Sequence, residues 1–338
     1  MPTNNFVVSA QGANNGGADS GALFLKLFGG EVLTAFERST LMDDKQVLRT
    51  ISNGKSAQFP VTGRTTAHYH QAGTPIDGVE QKQSERVISV SRPLVAPVFV
   101  DNWEEMVNHY DLRSIYTSNC GEALSHEYDQ HIMINLIKAA RADALLTELP
   151  DGTQIANDNF KIDGSGAADK NEQAAAFAAA IYQAAETMDD NRVPSEGRYC
   201  VLRPGPYYAL VQAVQDSGFS VVHTDYNGAG SYSDGTVTKI AGITILKSPD
   251  VPSTDTSAAV GGGDNTDPNF YYGVDASKTV GLIWHSSAVG TVRLDGLKVE
   301  QESSVRYQGD LIVAKYAVGH GVLRPESAIE LKLDTLSN

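Results

Sequence analysis

The first place in this chain where residue type and spacing could do chemistry is His68-Tyr69-His70. Residues two apart on an extended strand share a face, so the two imidazoles could hold a metal ion such as zinc. Zinc takes three or four protein ligands, and no third or fourth ligand is visible in the surrounding sequence. No metal site is therefore expected. His126 and His131 are five apart on a helical stretch, so they point to different faces and are expected to be satisfied locally. Gly261-Gly262-Gly263 lacks the Lys-Ser/Thr that follows a phosphate-binding loop, and Gly164-Ser165-Gly166 lacks a nucleophile elbow; both read as loop. Cys120 and Cys200 stand far apart with no second Cys nearby to chelate a metal, which fits buried thiols in a reducing compartment. No local arrangement of Ser, His and Asp singles out a nucleophile with its base. The chain reads as a non-enzyme without a cofactor, and bound metal at His68/His70 would revive the enzyme reading.

Charge says more. The net charge is -15 and the pI near 4.9, so the surface as a whole repels nucleic-acid phosphate. The exception is residues 45–92. Seven bases stand there (Lys45, Arg49, Lys55, Arg64, Lys82, Arg86, Arg92) against three acids (Asp77, Glu80, Glu85), leaving -19 on the remainder. A basic ribbon on an acidic body is complementary to its own copies, and such fields steer association and set register.

The elements that carry these charges can be read in order. The first 20 residues, rich in Gly, Asn, Ala and Ser, read as an arm. Ala22–Phe36 is apolar, and its central Gly29-Gly30 pair is expected to interrupt a helix and leave a tethered strap. Residues 47–64 and 85–92 have the β-branched alternation of strands around a turn-rich stretch at 72–78. Legs of about 20 residues would span ~65 Å at ~3.3 Å each, more than a compact chain contains, so they are expected to leave the globule and lie on another subunit. Asp101 to Glu104 resembles a capping box, and from Leu112 to Leu146 apolar residues recur at helical steps, including Ile115, Leu124, Tyr128, Ile132 and Leu136. A second, alanine-rich helix is expected over Asn171–Thr187. Strands are expected at Arg198–Leu202, Gly235–Leu246, Thr279–Trp284, Gly290–Val299, Asp310–Tyr316 and Ile329–Leu333, with a helix at Pro206–Gln215. Strands and helices mix in an α/β or α+β order, and residues 249–269 read as a surface loop. No apolar run approaches the roughly 20 residues a bilayer span requires. The N-terminus lacks the pattern of a signal peptide, so synthesis and function in a cytoplasm are expected.

Several stretches, in order, resemble the major capsid proteins of T7-like short-tailed bacteriophages. They are Ala22-Leu23-Phe24-Leu25-Lys26 with Phe28 to Phe36, Ser52 to Pro60 with Val61, Gly63, Arg64 and Thr65, and Asn108-His109-Tyr110-Asp111 with Arg113-Ser114 and Tyr116-Thr117-Ser118. Near the end, His285 to Val292 leads to Ala314 to Gly321 and Leu323-Arg324-Pro325-Glu326. The resemblance implies an α+β, HK97-type capsid fold. It assigns 1–45 to an N-terminal arm, 46–92 to an extended E-loop hairpin, and 93–192 to a P-domain whose spine helix is 112–146. Residues 193–299 become an A-domain, and 300–338 a return to the P-domain.

The function implied is self-assembly into the hexamers and pentamers of an icosahedral phage head around double-stranded DNA, bound without sequence specificity. The implied partners are copies of the chain itself, a scaffolding protein during assembly and a portal protein, with room for a decoration protein and no membrane. The implied location is the virion, after assembly in the bacterial cytoplasm. An encapsulin-like nanocompartment shell is the alternative on the same fold. On charge, Lys55, Arg64, Arg86 and Arg92 of the hairpin are assigned to contacts with Glu122, Glu127 or Asp129 on a neighbour's spine helix.

Overall fold

The computed structural model describes residues 22–334 except 66, 68, 71–72, 74–77, 79, 91, 102, 104–111, 161–169, 213–229, 232–235, 238 and 258–271. The expected arm at 1–20, the capping box at 101–104, His68, and the glycine loops at 164–166 and 261–263 fall wholly or partly outside the described residues. The chain divides into two compact units. One comprises 1–41, 91–128 and 293–318, the other 42–90, 129–292 and 319–338.

In the first unit, helix α1 (Ala22–Ser39) runs without a break through Gly29-Gly30, correcting the expected interruption. Two glycines cost a helix about 1 kcal/mol each relative to alanine, and burial offsets this: Val32 and Phe36 are fully buried, a large apolar side chain contributing ~1.5–3 kcal/mol. Phe36 meets Tyr128 and Tyr316 edge-on, at ring-centre distances of 5.6 and 5.4 Å. Tyr128 belongs to the long helix α2 (Leu112–Ala140), and α1 crosses α2 at Gly121, where a Cβ would lie 2.6 Å from that of Ala35. In the same unit strand β4 (Leu94–Asp101) pairs antiparallel with β13 (Gly309–Val322), and β4 is the end strand of its sheet.

The second unit is built on a six-stranded sheet, with β5 (Thr153–Ala156), β14 (Ala328–Lys332), β11 (Thr279–His285), β6 (Arg198–Leu202), β10 (Ile243–Lys247) and β9 (Lys239–Ile240) side by side. The pairs β5/β14 and β6/β10 are parallel, while β11 runs antiparallel to both its neighbours and β9 antiparallel to β10. Strand β11 is buried almost throughout, as its continuous apolar run Val280 to Trp284 requires. The alanine-rich helix α3 (Lys170–Asp190) lies on this sheet through Ala174, Phe177, Ile181, Ala184 and Met188. They share a core with Cys200, Leu202, Ile283 and Leu331, and Phe177 stacks on Phe160 at 4.6 Å. Helix α4 (Pro204–Gln212) opens on a proline, which has no N–H to waste at a first helical position, and buries Tyr207 and Leu210.

Helix α2 ends at Ala140, six residues before the expected end. Its termination has a physical cause. Arg141 turns to make a two-pronged bond with the wholly buried Glu330 of β14 (2.7 and 2.6 Å), and its third nitrogen donates to the Asp275 carbonyl. Thr279 donates its hydroxyl to the same carboxylate at 2.6 Å. Leu146 and Leu149, whose spacing prolongs the helical pattern, pack instead beneath Val61 of the hairpin described below. Truncating Arg141 to Ala strands a buried carboxylate, a change that typically costs 3–5 kcal/mol. The denaturant midpoint of purified Arg141→Ala subunits is expected to fall accordingly, whereas Lys332→Ala, which removes an exposed bond to Gln154, should change the unfolding free energy by less than about 1 kcal/mol.

Candidate assembly interface

The basic stretch of the sequence forms a hairpin with a gripped base and an exposed tip. Strand β1 (Val47–Thr50) is separated from β2 (Ser56–Thr62) by a bend that places Gly54 at φ 102°, a conformation open to glycine. The single leg expected over 47–64 is thus two strands. Strand β2 pairs antiparallel with β3 (Gln83–Ser89) in seven opposed pairs from Ser56↔Ser89 to Thr62↔Gln83, about 23 Å of ribbon. The paired part is not free of the body, as was expected of the legs. Ala57, Val61 and Ile88 are buried. Ile88 lies against Gly290 and Gly321, and the Ser89 carbonyl and Val90 Cα against Gly319, where a Cβ would come within 2.3 Å of that oxygen. Beyond the pairs, every described residue from Arg64 to Lys82 is exposed.

Behind the glycines is a buried polar cluster. His320, between Gly319 and Gly321 on β13, bonds through Nδ1 to the Thr291 hydroxyl at 2.8 Å, and Thr291 also bonds Gln46 at the root of the hairpin. The Tyr272 hydroxyl accepts the His320 backbone N–H at 3.1 Å, and the His131 ring lies 4.6 Å from that of Tyr272, tilted by 38°. Burial first, and the neighbouring His131 second, hold His320 well below the ordinary imidazole range. The Trp284 indole donates to the Lys45 carbonyl at 3.1 Å, fixing the same root.

The seven residues assigned to contacts have different situations. Lys55 and Arg92 are exposed at the root end, without an ionic partner among the described residues. Arg64 is exposed and donates to the Asn191 carbonyl of its own chain. Arg86, opposite Phe59, is half-buried, and its Nε has no hydrogen-bond partner among the described residues. On α2, Glu122 is exposed and takes a bond from Ser118, Glu127 is half-buried, and Asp129 is buried, accepting the Met42 N–H at 3.2 Å. Asp129 is thus occupied inside its own chain. Other bases of the ribbon also serve the chain itself. Arg49 bonds the Gln58 carbonyl and covers Phe59, and Lys82 pairs with Glu148 at 3.5 Å.

His126 is exposed and His131 buried, on different faces as their spacing requires. Among the described residues no group of three His, Cys, Asp or Glu side chains could hold a metal, and no helix is long and apolar enough to cross a membrane. Cys120 and Cys200 are free and buried, and burial pushes both thiols up. The glycine floor escaped the reading of the sequence. Its signal was available in Gly319-His320-Gly321, two glycines on one face of a strand, which mark a close approach by another backbone.

Residues 58–332 match the family described as Gp10A-like major capsid protein. The chain belongs to this major capsid protein family. The major capsid protein of Enterobacteria phage T3 is 35% identical over 97% of this chain and 96% of its own length. That of Escherichia phage T7 is 33% identical over 92% and 91%. The solved capsid structure of cyanophage P-SCSP1u shares the fold with a TM-score of 0.72 at 38% identity, over 99% of both chains. The chain is a phage major capsid protein of HK97-type, α+β fold, a structural component of the virion head.

Two measurements test the gripped base of this capsid protein. Gly319→Ala places a methyl against the Ser89 backbone, an overpacking that costs about 1–3 kcal/mol. Hydrogen exchange over residues 83–90 should speed up while β6 and β11 stay protected, and unchanged exchange at 83–90 would remove the floor from the account. His320, lowered in the folded chain, contributes stability that is intact above its unfolded value of about 6.5 and declines as pH falls below it, by up to ~1.4 kcal/mol per pH unit. Subunits should therefore lose stability from pH 7 to 5 with a slope that His320→Asn reduces.

Proposed function

We propose that this capsid protein assembles into the hexamers and pentamers of an icosahedral head around double-stranded DNA, with the hairpin of each copy lying on the long helix of a neighbour. The observation that carries the reading is the hairpin itself. Its base is built into the body, while its described outer residues are all exposed and its charge is opposite to that of the remaining chain. A two-stranded ribbon is marginal alone in water, so its outer part gains from a surface to lie on. Residues 1–45 serve as arm, 46–92 as E-loop, 93–192 as P-domain, 193–299 as A-domain and 300–338 as the return.

Lys55, Arg64, Arg86 and Arg92 face Glu122 and Glu127 of the neighbour in this arrangement. Asp129 is left out, because its carboxylate already holds the Met42 N–H. Each exposed pair contributes only ~0–1 kcal/mol, so the charges act by steering and register. The acidic remainder of the chain suits a wall that confines DNA without adhering to it. A scaffolding protein, a portal and a decoration protein complete the proposed set of partners, and assembly takes place in the bacterial cytoplasm.

The double variant Lys55→Glu/Arg64→Glu is expected to yield soluble subunits with an unchanged circular dichroism spectrum and no shells by electron microscopy. Arg64→Gln, which removes one of the four bases and the bond to Asn191 without adding a negative charge, should still form shells. Normal particles from the double variant would reject the ribbon contact.

A further inference from the structure

We propose that Tyr69 near the tip of the hairpin is an aromatic anchor that seats in the groove between β4 and α2 of a second copy. The inference rests on the reading that the hairpin lies on a neighbour, and adds which residue it inserts and where. Tyr69 is fully exposed, at 103% of its reference area, so it does not occupy any groove of its own chain. It stands seven residues beyond the end of β2, a reach of up to ~23 Å.

The groove has a volume of about 540 Å³ and lies within the first compact unit. One wall is the five consecutive residues Leu94 to Val98, along the end strand of the sheet; the other is α2, with Cys120, Ala123 and Leu124. These walls are apolar, as the face of a tyrosine ring requires. Asn119 and Glu127 add polar groups that can accept the phenol proton. No base is among the lining residues, Glu127 is within the groove and Glu122 is exposed on the same helix, while the exposed Arg64 precedes Tyr69 on the ribbon and Lys82 is held by Glu148 of its own chain. Arg64 is thus opposite in sign to the acids of the groove. A buried aromatic surrounded by weaker contacts is the usual energetic centre of a protein interface.

The test uses the full chain with p-azidophenylalanine in place of Tyr69, assembled with isotopically labelled copies, irradiated and digested for mass spectrometry. Crosslinks between labelled and unlabelled copies should map to residues 94–98 or 116–127. Crosslinks elsewhere, within one copy only, or none in assembled particles would overturn the inference. A second variant leaves Tyr69 alone. Ala123 is exposed at the groove, so Ala123→Trp fills it without touching the core. The concentration needed for assembly should then rise at least about tenfold, with Ala123→Ser near wild type. Normal assembly of Ala123→Trp counts against the anchor even if the azide-bearing chain forms no particles. If crosslinks land elsewhere while Lys55→Glu/Arg64→Glu still prevents shells, the anchor falls and the ribbon contact stands; if that double variant assembles, the ribbon contact itself has failed.

Discussion

Backbone lies against backbone where the end of β3 passes Gly319, the Ile88 side chain fills the space over Gly290 and Gly321, and the rest of the hairpin depends on that approach. With no Cβ in the way, Ile88 reaches the floor and the Ser89 carbonyl comes close to Gly319. Seven cross-strand pairs are thereby supported from one side, enough to orient a ribbon that would not hold a direction in water alone. The glycines are expensive in chain entropy. Their presence in two adjoining strands is explained by the packing they permit.

The same constraint sorts the basic residues. Some are used by the chain that carries them, as with Arg49 on the Gln58 carbonyl and Lys82 on Glu148. Lys55 and Arg92 remain exposed. A charge count taken from the sequence treats all seven alike, whereas the fold divides them into bases that stiffen the ribbon and bases that face outward. The weak contribution of each outward pair is multiplied when many copies close one shell, since each later contact in a closed assembly is made within a body already joined.

Much of the fold was legible because its strands and helices follow the periods of their apolar residues. The alanine-rich run became α3, and the β-branched runs near 198, 279 and 329 became β6, β11 and β14 in the core. Three features were not legible, each for a tertiary reason. Gly29-Gly30 sits inside a helix because Val32 and Phe36 are buried against neighbours far away in sequence. The long helix stops at Ala140 because Arg141 meets a carboxylate 189 residues later, a partner no local pattern reveals. The expected leg at 47–64 is broken at Gly54, and its Val61 packs with Leu149 and with Leu146, the residue at which the helical period was expected to end. The charged candidates were readable as types, but burial decided that Asp129 belongs to the interior.

The position of β14 has a bearing on when the protein becomes competent. This strand, made of residues 328–332, is the last in chain order, yet it lies between β5 and β11 and supplies Glu330 to the helix terminus. A nascent chain that has emerged only as far as β13 has a sheet divided in two, with β5 unpaired and Arg141 lacking its partner. Sequence-distant pairing of this kind is slow to form, and an incomplete sheet exposes edges prone to wrong association. The six-stranded sheet is therefore continuous only once the final strand has been made.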